Sequence, residues 1–297
     1  MLIETVTQMD QYEAARRWFA EDLRVSAPIV HNQSLVDAFA KVPRESFLGD
    51  GPWRIHPRLR AAPNYTSKTS EPEETYHDVL VSIDESRDLN NGQPSLWAYV
   101  FDNLDIGAGS TVLQVGAGVG YYTAILAELV WPGGQVISYE IDKALSHRAR
   151  DNLRGYTNVE VVSGDATTEA EFRSLDVVVA SAGATHVPGA WLSNLAENGQ
   201  MMVPITGEDQ WGFMLKVRRK GHCFHARSLG PCGFYHCHGA RHANEEASLT
   251  RILKKTKVTE LSLDRLHLGA PTKDDANVWF AGNGFWLSAR EVPQGTR

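Results

Sequence analysis

Three glycines and two carboxylates carry the chemistry in this sequence. Gly116, Gly118 and Gly120 punctuate Thr111-Val-Leu-Gln-Val-Gly-Ala-Gly-Val-Gly120, and Glu140 and Asp165 follow at the ends of the next two apolar runs. A glycine turn between a strand and a helix brings backbone N–H groups and a helix N-terminus up to a ligand. A carboxylate about 20 residues further on can accept both hydroxyls of an adenosine ribose. An aspartate one strand later can accept the adenine amino group. Each carboxylate taken singly reads equally well as a surface or capping group. A dinucleotide site needs G-x-G-x-x-G, and its third glycine would fall at Tyr121. What stands here is G-x-G-x-G.

The elements that must position these groups alternate. Val112–Val115 is a buried parallel strand by its β-branched apolar content, and Tyr121–Val130 has the apolar content of a packed helix. Gln135–Tyr139 is a second strand delivering Glu140 and Ile141. Lys143–Arg154 carries Leu145, Ala149 and Leu153 at helical spacing. Asn158–Ser163 leads into Gly164-Asp165-Ala166, and Asp176–Ala180 is a fourth strand. The pattern predicts an α/β fold with a doubly wound, Rossmann-like sheet, mostly parallel, with helices on both faces and an antiparallel C-terminal hairpin. Before it, Asp10–Leu23 is a helix with Tyr12, Ala15, Trp18 and Phe19 on one side, Ser34–Lys41 a second helix, Gly51–Ser70 a loop and Val79–Ile83 a strand. Beyond Ala180 come a small-residue loop, Ser181–Pro188, and strands at 199–204, 211–218 and 223–229. A polar helix at 244–254, a strand at 257–263 and a hairpin at 278–288 turning on Gly282-Asn283-Gly284 complete the chain. Three parts are expected: a helical cap and loop region at 1–85, the ligand-binding core at 86–241, and an extension at 242–297.

The bulk properties exclude several classes. Of 297 residues, 42% are hydrophobic and 22% charged, as in ordinary soluble domains. A net charge of −7 argues against nucleic acid or an anionic membrane as partner. No apolar run approaches membrane-spanning length, and Met1–Gln11 lacks a secretory character. The 3 cysteines, Cys223, Cys232 and Cys237, are too few for a disulfide framework and point to a reducing, cytoplasmic setting. Oligomeric state is open. His222, Cys223, His225, Cys232, His236, Cys237, His238 and His242 crowd one segment, yet none has C-x-x-C spacing and strand alternation parts neighbours such as Cys237 and His238. No metal centre is expected from them.

With these residues in view the chain resembles the protein-L-isoaspartate (D-aspartate) O-methyltransferases, from about Leu35 to Gly239. The blocks carrying the likeness are Val42-Pro43-Arg44-Glu45-Ser46-Phe47, Tyr76-His77-Asp78, Val112–Gly120, Gly164-Asp165, Asn198–Pro204 and Leu229-Gly230-Pro231 through Phe234. The resemblance implies S-adenosyl-L-methionine as cofactor, bound by Gly116, Ala117, Gly118, Gly120, Tyr121, Glu140, Ile141, Gly164, Asp165 and Ala166. It implies carboxyl O-methylation of a peptide or protein. The family's acceptor loop reads Thr-Ile-Ser-Gln-Pro; here it reads Asn90-Asn91-Gly92-Gln93-Pro94, so Gly92 replaces the hydroxyl. The candidates for holding the acceptor are Asn90, Asn91, Gly92 and Gln93, with His186 the one base for a hydroxyl acceptor; His77 beside Asp78 reads as a structural pair. The missing hydroxyl predicts weak or absent turnover of simple isoaspartyl peptides. It leaves two alternatives open: a different acceptor, such as a modified peptide or small metabolite, or a non-catalytic cofactor-binding adaptor.

Overall fold

Short β-branched runs become strands wherever a neighbouring run can pair with them, and this chain has fourteen such runs among its described residues. The computed structural model describes residues 2–26, 30–57, 62–168, 172, 174–275 and 277–290. In chain order the strands are β1 (Arg54–His56), β2 (Tyr65–Thr66), β3 (Leu80–Asp84), β4 (Leu89–Asn90), β5 (Thr111–Val115), β6 (Gln135–Glu140) and β7 (Val159–Ser163). They continue as β8 (Leu175–Ala180), β9 (Leu195–Thr206), β10 (Trp211–Lys220), β11 (Cys223–Gly233), β12 (Leu263–Leu268), β13 (Val278–Gly282) and β14 (Phe285–Ala289). The helices are α1 (Leu2–Ser26), α2 (Gln33–Lys41), α3 (Pro94–Asp102), α4 (Tyr121–Val130), α5 (Lys143–Leu153), α6 (Gly189–Ser193) and α7 (Ala243–Leu253). The chain divides into two compact units, Met1–Ser110 with Ala117–Ser163, and Thr111–Gly116 with Gly164–Arg297.

In the first unit the parallel pair β6–β7 runs in register from Val136 opposite Val159 to Glu140 opposite Ser163, so both strands end level. Helix α4 is buried almost throughout, while α5 buries only Leu145, Ser146, Ala149 and Leu153, the expected one-faced pattern. Helix α1 buries Phe19, Ala20 and Leu23. Trp18, expected on that face, is 77% exposed instead, because one residue turns the helix by about 100° away from the Phe19–Leu23 row. The segment 51–70, expected as loop, contributes β1 and β2 to a four-stranded antiparallel sheet in the order β2-β1-β3-β4. Strands of 3 and 2 residues are too short to show a period, and residues 58–61 lie outside the described part. Leu48, Trp53, Ile55 and Val81 form the small core of that sheet.

In the second unit the strand order is β13-β14-β12-β11-β10-β9-β8-β5. Strands β5, β8 and β9 pair in parallel, and from β9 to β14 every neighbouring pair is antiparallel. The α/β, Rossmann-like class holds, and the antiparallel part extends well beyond the single hairpin. Tight connections dictate this: strands joined by a few residues, as at Gly221-His222, can pair only antiparallel. The hairpin β13–β14 turns where expected. The strand expected at 257–263 is displaced: Val258–Glu260 is a 3-10 turn and the strand is β12. A register shift between Leu263 and Arg265 breaks the alternation there, so Leu263 and Leu266 are both buried three residues apart and no period of two is visible. No helix among the described residues is long and apolar enough to cross a membrane.

Candidate active site

The glycine turn closes over a carboxylate. In the first unit Gly118 N–H donates to Glu140 Oε2 at 2.7 Å, Asp142 N–H donates to Oε1 at 3.0 Å, and Ala117 N–H donates to Tyr139 O at 3.0 Å. Glu140 is buried, and burial pushes its carboxyl above the usual carboxylate range, with the backbone donors opposing. Asp142 is the capping group: it accepts from Leu145 N–H at 2.9 Å at the start of α5 and pairs with Arg87. Glu140 is not a cap. Gly118 has φ +57 and open space where a Cβ would stand, whereas a Cβ on Gly120 would meet Leu153 Cδ1 at 2.8 Å. Position 118 is therefore open to a ligand, and position 120 serves the packing of α5. Ile141, beside Glu140, is 47% exposed, an apolar surface next to a buried carboxylate. Tyr121 is buried under the Arg44 guanidinium, which lies 5.9 Å from its ring centroid, and its hydroxyl has no partner among the described residues.

In the second unit Gly116 follows β5 with φ +91, and a Cβ there would lie 3.2 Å from Ser181 Cβ. Asp165 Oδ1 accepts from Thr167 N–H at 2.9 Å and from Thr167 Oγ1 at 2.7 Å. It closes its own turn, while Oδ2 lies 3.5 Å from His238 Nδ1. Gly164 has open space at its Cβ position, and Ala166 O accepts from Trp191 Nε1 at 3.0 Å.

The loop Asn90–Gln93 belongs to the first unit, and buried groups fix it. Arg44 is fully buried; Nη1 donates to Thr75 O (2.7 Å) and His77 O (2.9 Å), Nη2 to Val79 O (2.7 Å) and Asn91 Oδ1 (3.1 Å). Asn91 Oδ1 also accepts from Val81 N–H at 3.2 Å. Two donors on one amide oxygen fix the amide's orientation, and Nδ2 is buried without a partner among the described residues. Gly92 N–H donates to Asn90 Oδ1 at 3.0 Å, and Gly92 O accepts from the Tyr122 hydroxyl at 3.0 Å. Tyr122 sits in the first turn of α4, so the loop is tied to the helix that follows the glycines. Gln93 Nε2 donates to Asp78 Oδ2 at 2.9 Å, and Asp78 also accepts from Ser95 N–H and Oγ at the start of α3. Asp78 is thus structural, through Ser95 and Gln93.

His186 lies in the second unit, in the loop after β8. Its Nδ1 is 2.9 Å from Oε2 of the buried Glu245, which also accepts from Thr185 Oγ1 at 2.6 Å and, through Oε1, from Asn283 N–H at 2.6 Å. Burial alone would raise the Glu245 carboxyl, but the His186, Thr185 and Asn283 donors outweigh it and hold it at about 2. His242 stacks on His186 with ring centroids 4.6 Å apart. The thiols of Cys223, Cys232 and Cys237 are unpaired, and none joins a metal-binding group among the described residues. Sequence reasoning missed the roles of Arg44 and Glu245. Arg44 was visible only as part of a family block, and Glu245 carried no local signal because its partners lie 38 to 60 residues away.

Comparison with known proteins follows the same lines. Over 94% of this chain and 88% of its own length, a solved protein-L-isoaspartate O-methyltransferase superposes with a TM-score of 0.62 at 21% identity. A second, from Plasmodium falciparum and bound to S-adenosyl-L-homocysteine, superposes with a TM-score of 0.59 at 18% identity, over 75% of this chain and 98% of its own. The fold is therefore that of a Rossmann-like methyltransferase. In sequence, protein-L-isoaspartate O-methyltransferase 2 of Archaeoglobus fulgidus is 30% identical over 213 residues, 71% of this chain and 87% of its own. The enzyme of Desulfotalea psychrophila is 30% identical over 230 residues, 76% and 95% of the two chains. The protein-L-isoaspartate(D-aspartate) O-methyltransferase family pattern matches residues 20–235, and the chain belongs to that family of S-adenosylmethionine-dependent methyltransferases. A match over 94% of the chain must also include part of the segment beyond residue 241, so one solved relative has a counterpart there.

Proposed function

We propose that this protein methylates a carboxylate on a peptide or protein, isoaspartate being the simplest acceptor. The observation that carries this reading is the loop Asn90–Gln93, tied by Tyr122 to the first turn of α4 with the Asn91 Nδ2 donor buried and unpaired. A buried donor left without an acceptor costs about 1–3 kcal/mol, and an acceptor carboxylate would remove that cost. In this reading the amide takes the part of the hydroxyl donor that Gly92 lacks, and turnover of an isoaspartyl peptide depends on Asn91.

The cofactor residues we assign are Gly116, Ala117, Gly118, Gly120, Tyr121, Glu140, Ile141, Gly164, Asp165 and Ala166. The fit is supported by the open space at Gly118 and Gly164, the buried Glu140 carboxylate and the exposed apolar Ile141, a surface for a flat base. Glu140 would accept the ribose hydroxyls, Asp165 Oδ2 the adenine amino group, and Gly120 and Tyr121 keep the turn in shape. S-adenosylmethionine supplies an electrophilic methyl group on a sulfonium. The protein's part is alignment of an in-line displacement. A carboxylate with a pKa of about 4 is already ionised at neutral pH, so no general base is needed. Asn90, Gly92 and Gln93 shape the loop around the acceptor, and the Asn91 amide orients it.

A second reading, methylation of a hydroxyl on another acceptor, is favoured by one observation: His186 is oriented by Glu245 as a general base would be. We also keep the three-part organisation, with residues 242–297 as an added module of which 276 and 291–297 lie outside the described residues, and a cytoplasmic location, supported by three cysteines outside any disulfide. The test of the main reading is Asn91→Asp, which retains an oxygen for Arg44 and Val81 and replaces the donor with an acceptor. With the melting temperature as a check on folding, methyl transfer to an isoaspartyl peptide should fall by one to two orders of magnitude, about 1.5–3 kcal/mol. Unchanged transfer by the folded variant would remove Asn91 from the acceptor site.

A further inference from the structure

We infer that His186, His242 and Glu245 form a binding site for one divalent transition-metal ion of the zinc type. Their donor atoms all lie within 4.8 Å of one another, from two segments 56 and 59 residues apart in the chain, the loop after β8 and the start of α7. Two imidazoles and a carboxylate are the donor set of three-ligand zinc sites that keep a fourth position open.

The carboxylate of the group is held in place before any ion arrives. Thr185 Oγ1 and Asn283 N–H fix the two oxygens of Glu245, so the carboxylate keeps its orientation. Hydrogen bonds of this kind to a ligating group raise metal affinity. Glu245 is buried, and a buried carboxylate beside two imidazoles presents oxygen and nitrogen donors to a cation rather than hydrogen-bond donors to an anion. His186 and His242 also line a cavity of about 390 Å³, bounded by Pro188, Leu268 and Phe285 among others, which gives the fourth position room for water or a small oxygen ligand.

Two changes accompany binding. His186 Nδ1 and Glu245 Oε2 now share a proton across 2.9 Å. The ion takes that proton's place, and the proton moves to Nε2 of the same ring, leaving Nδ1 as the ligating nitrogen. The two rings lie within 14° of parallel, a geometry in which their lone pairs do not converge. The exposed His242 therefore turns out of the stack to complete the site; its side chain caps no helix N–H that would hold it back. This departs from the expectation of no metal centre, which considered only the crowded segment 222–242. His242 belongs to that segment, but its partners do not.

The test is titration of the full-length, chelator-stripped protein with Co²⁺ and then Zn²⁺. One equivalent of Co²⁺ should give the visible absorption of a low-coordinate cobalt site, and Zn²⁺ should quench it by displacing the cobalt. His242→Ala should weaken binding at least about tenfold, the lower end of the loss for removing even an outer-shell partner. His222→Ala, at an exposed histidine outside the group, should bind as the native chain does. Absence of saturable one-equivalent binding would overturn the proposal. So would His242→Ala binding as tightly as native, or both variants weakening alike.

Discussion

Gly92 illustrates how one position is decided by contacts the sequence does not display. Its φ is +80, and a Cβ would stand 2.5 Å from Trp97 Nε1 and 3.3 Å from the Tyr122 ring. Introducing the family's hydroxyl by Gly92→Ser should therefore cost stability, about 1–3 kcal/mol from backbone strain and overpacking, and give no gain in methyl transfer. Thermal denaturation beside an activity assay checks this, and a stable, faster Gly92→Ser protein would contradict it. Glu140 makes the complementary case. Its carboxylate lies beneath the open Gly118, so Glu140→Ala should weaken S-adenosylmethionine binding by about 1.5–3 kcal/mol, readable by calorimetry. Unchanged affinity would take Glu140 out of the cofactor site. The glycines and Glu140 were legible because strand, turn, helix and strand are local and periodic. The unpaired Asn91 amide was not, because its partners come from Arg44 and Val81, 47 and 10 residues away.

At the scale of elements, the loops are positioned by buried polar groups rather than by the strands they join. Arg44 binds three backbone carbonyls and the Asn91 amide from a site with no solvent exposure. Arg44→Met should leave those acceptors unpaired and cost upwards of about 3 kcal/mol in denaturant unfolding, with methyl transfer falling as the loop loosens. A loss under about 1 kcal/mol would show that the loop holds itself. Glu245 plays the same part between the loop after β8, helix α7 and the β13–β14 turn. Its carboxyl is held at about 2, below the ordinary 4.5, by the His186, Thr185 and Asn283 donors, which outweigh the opposing effect of burial. A depressed carboxyl stabilises the fold above the unfolded value, and that stability is lost as pH falls from about 4.5 towards 2. Melting temperature against pH should thus fall less steeply over that window in Glu245→Gln than in the native chain. Parallel slopes would show that Glu245 titrates alike in both states. The strands around these groups were legible where alternation or apolar runs were unbroken. The β12 bulge, the two-residue strand β2 and the α1 face turned away from Trp18 each escape a periodicity argument for a geometric reason given by the fold.

For the whole molecule, the family match over residues 20–235 and the sheet that carries the glycine turn specify a methyl donor, while the acceptor rests on one loop. The accepting atom we propose is a carboxylate oxygen. The direct test is transfer of labelled methyl from S-adenosylmethionine to an isoaspartyl peptide and its ordinary aspartyl twin, followed by mild alkali. Methyl esters hydrolyse there; methyl ethers and methylamines do not. Label is expected on the isoaspartyl peptide in excess over its twin, released by base as methanol. No label on either peptide, or label that survives base, would contradict it.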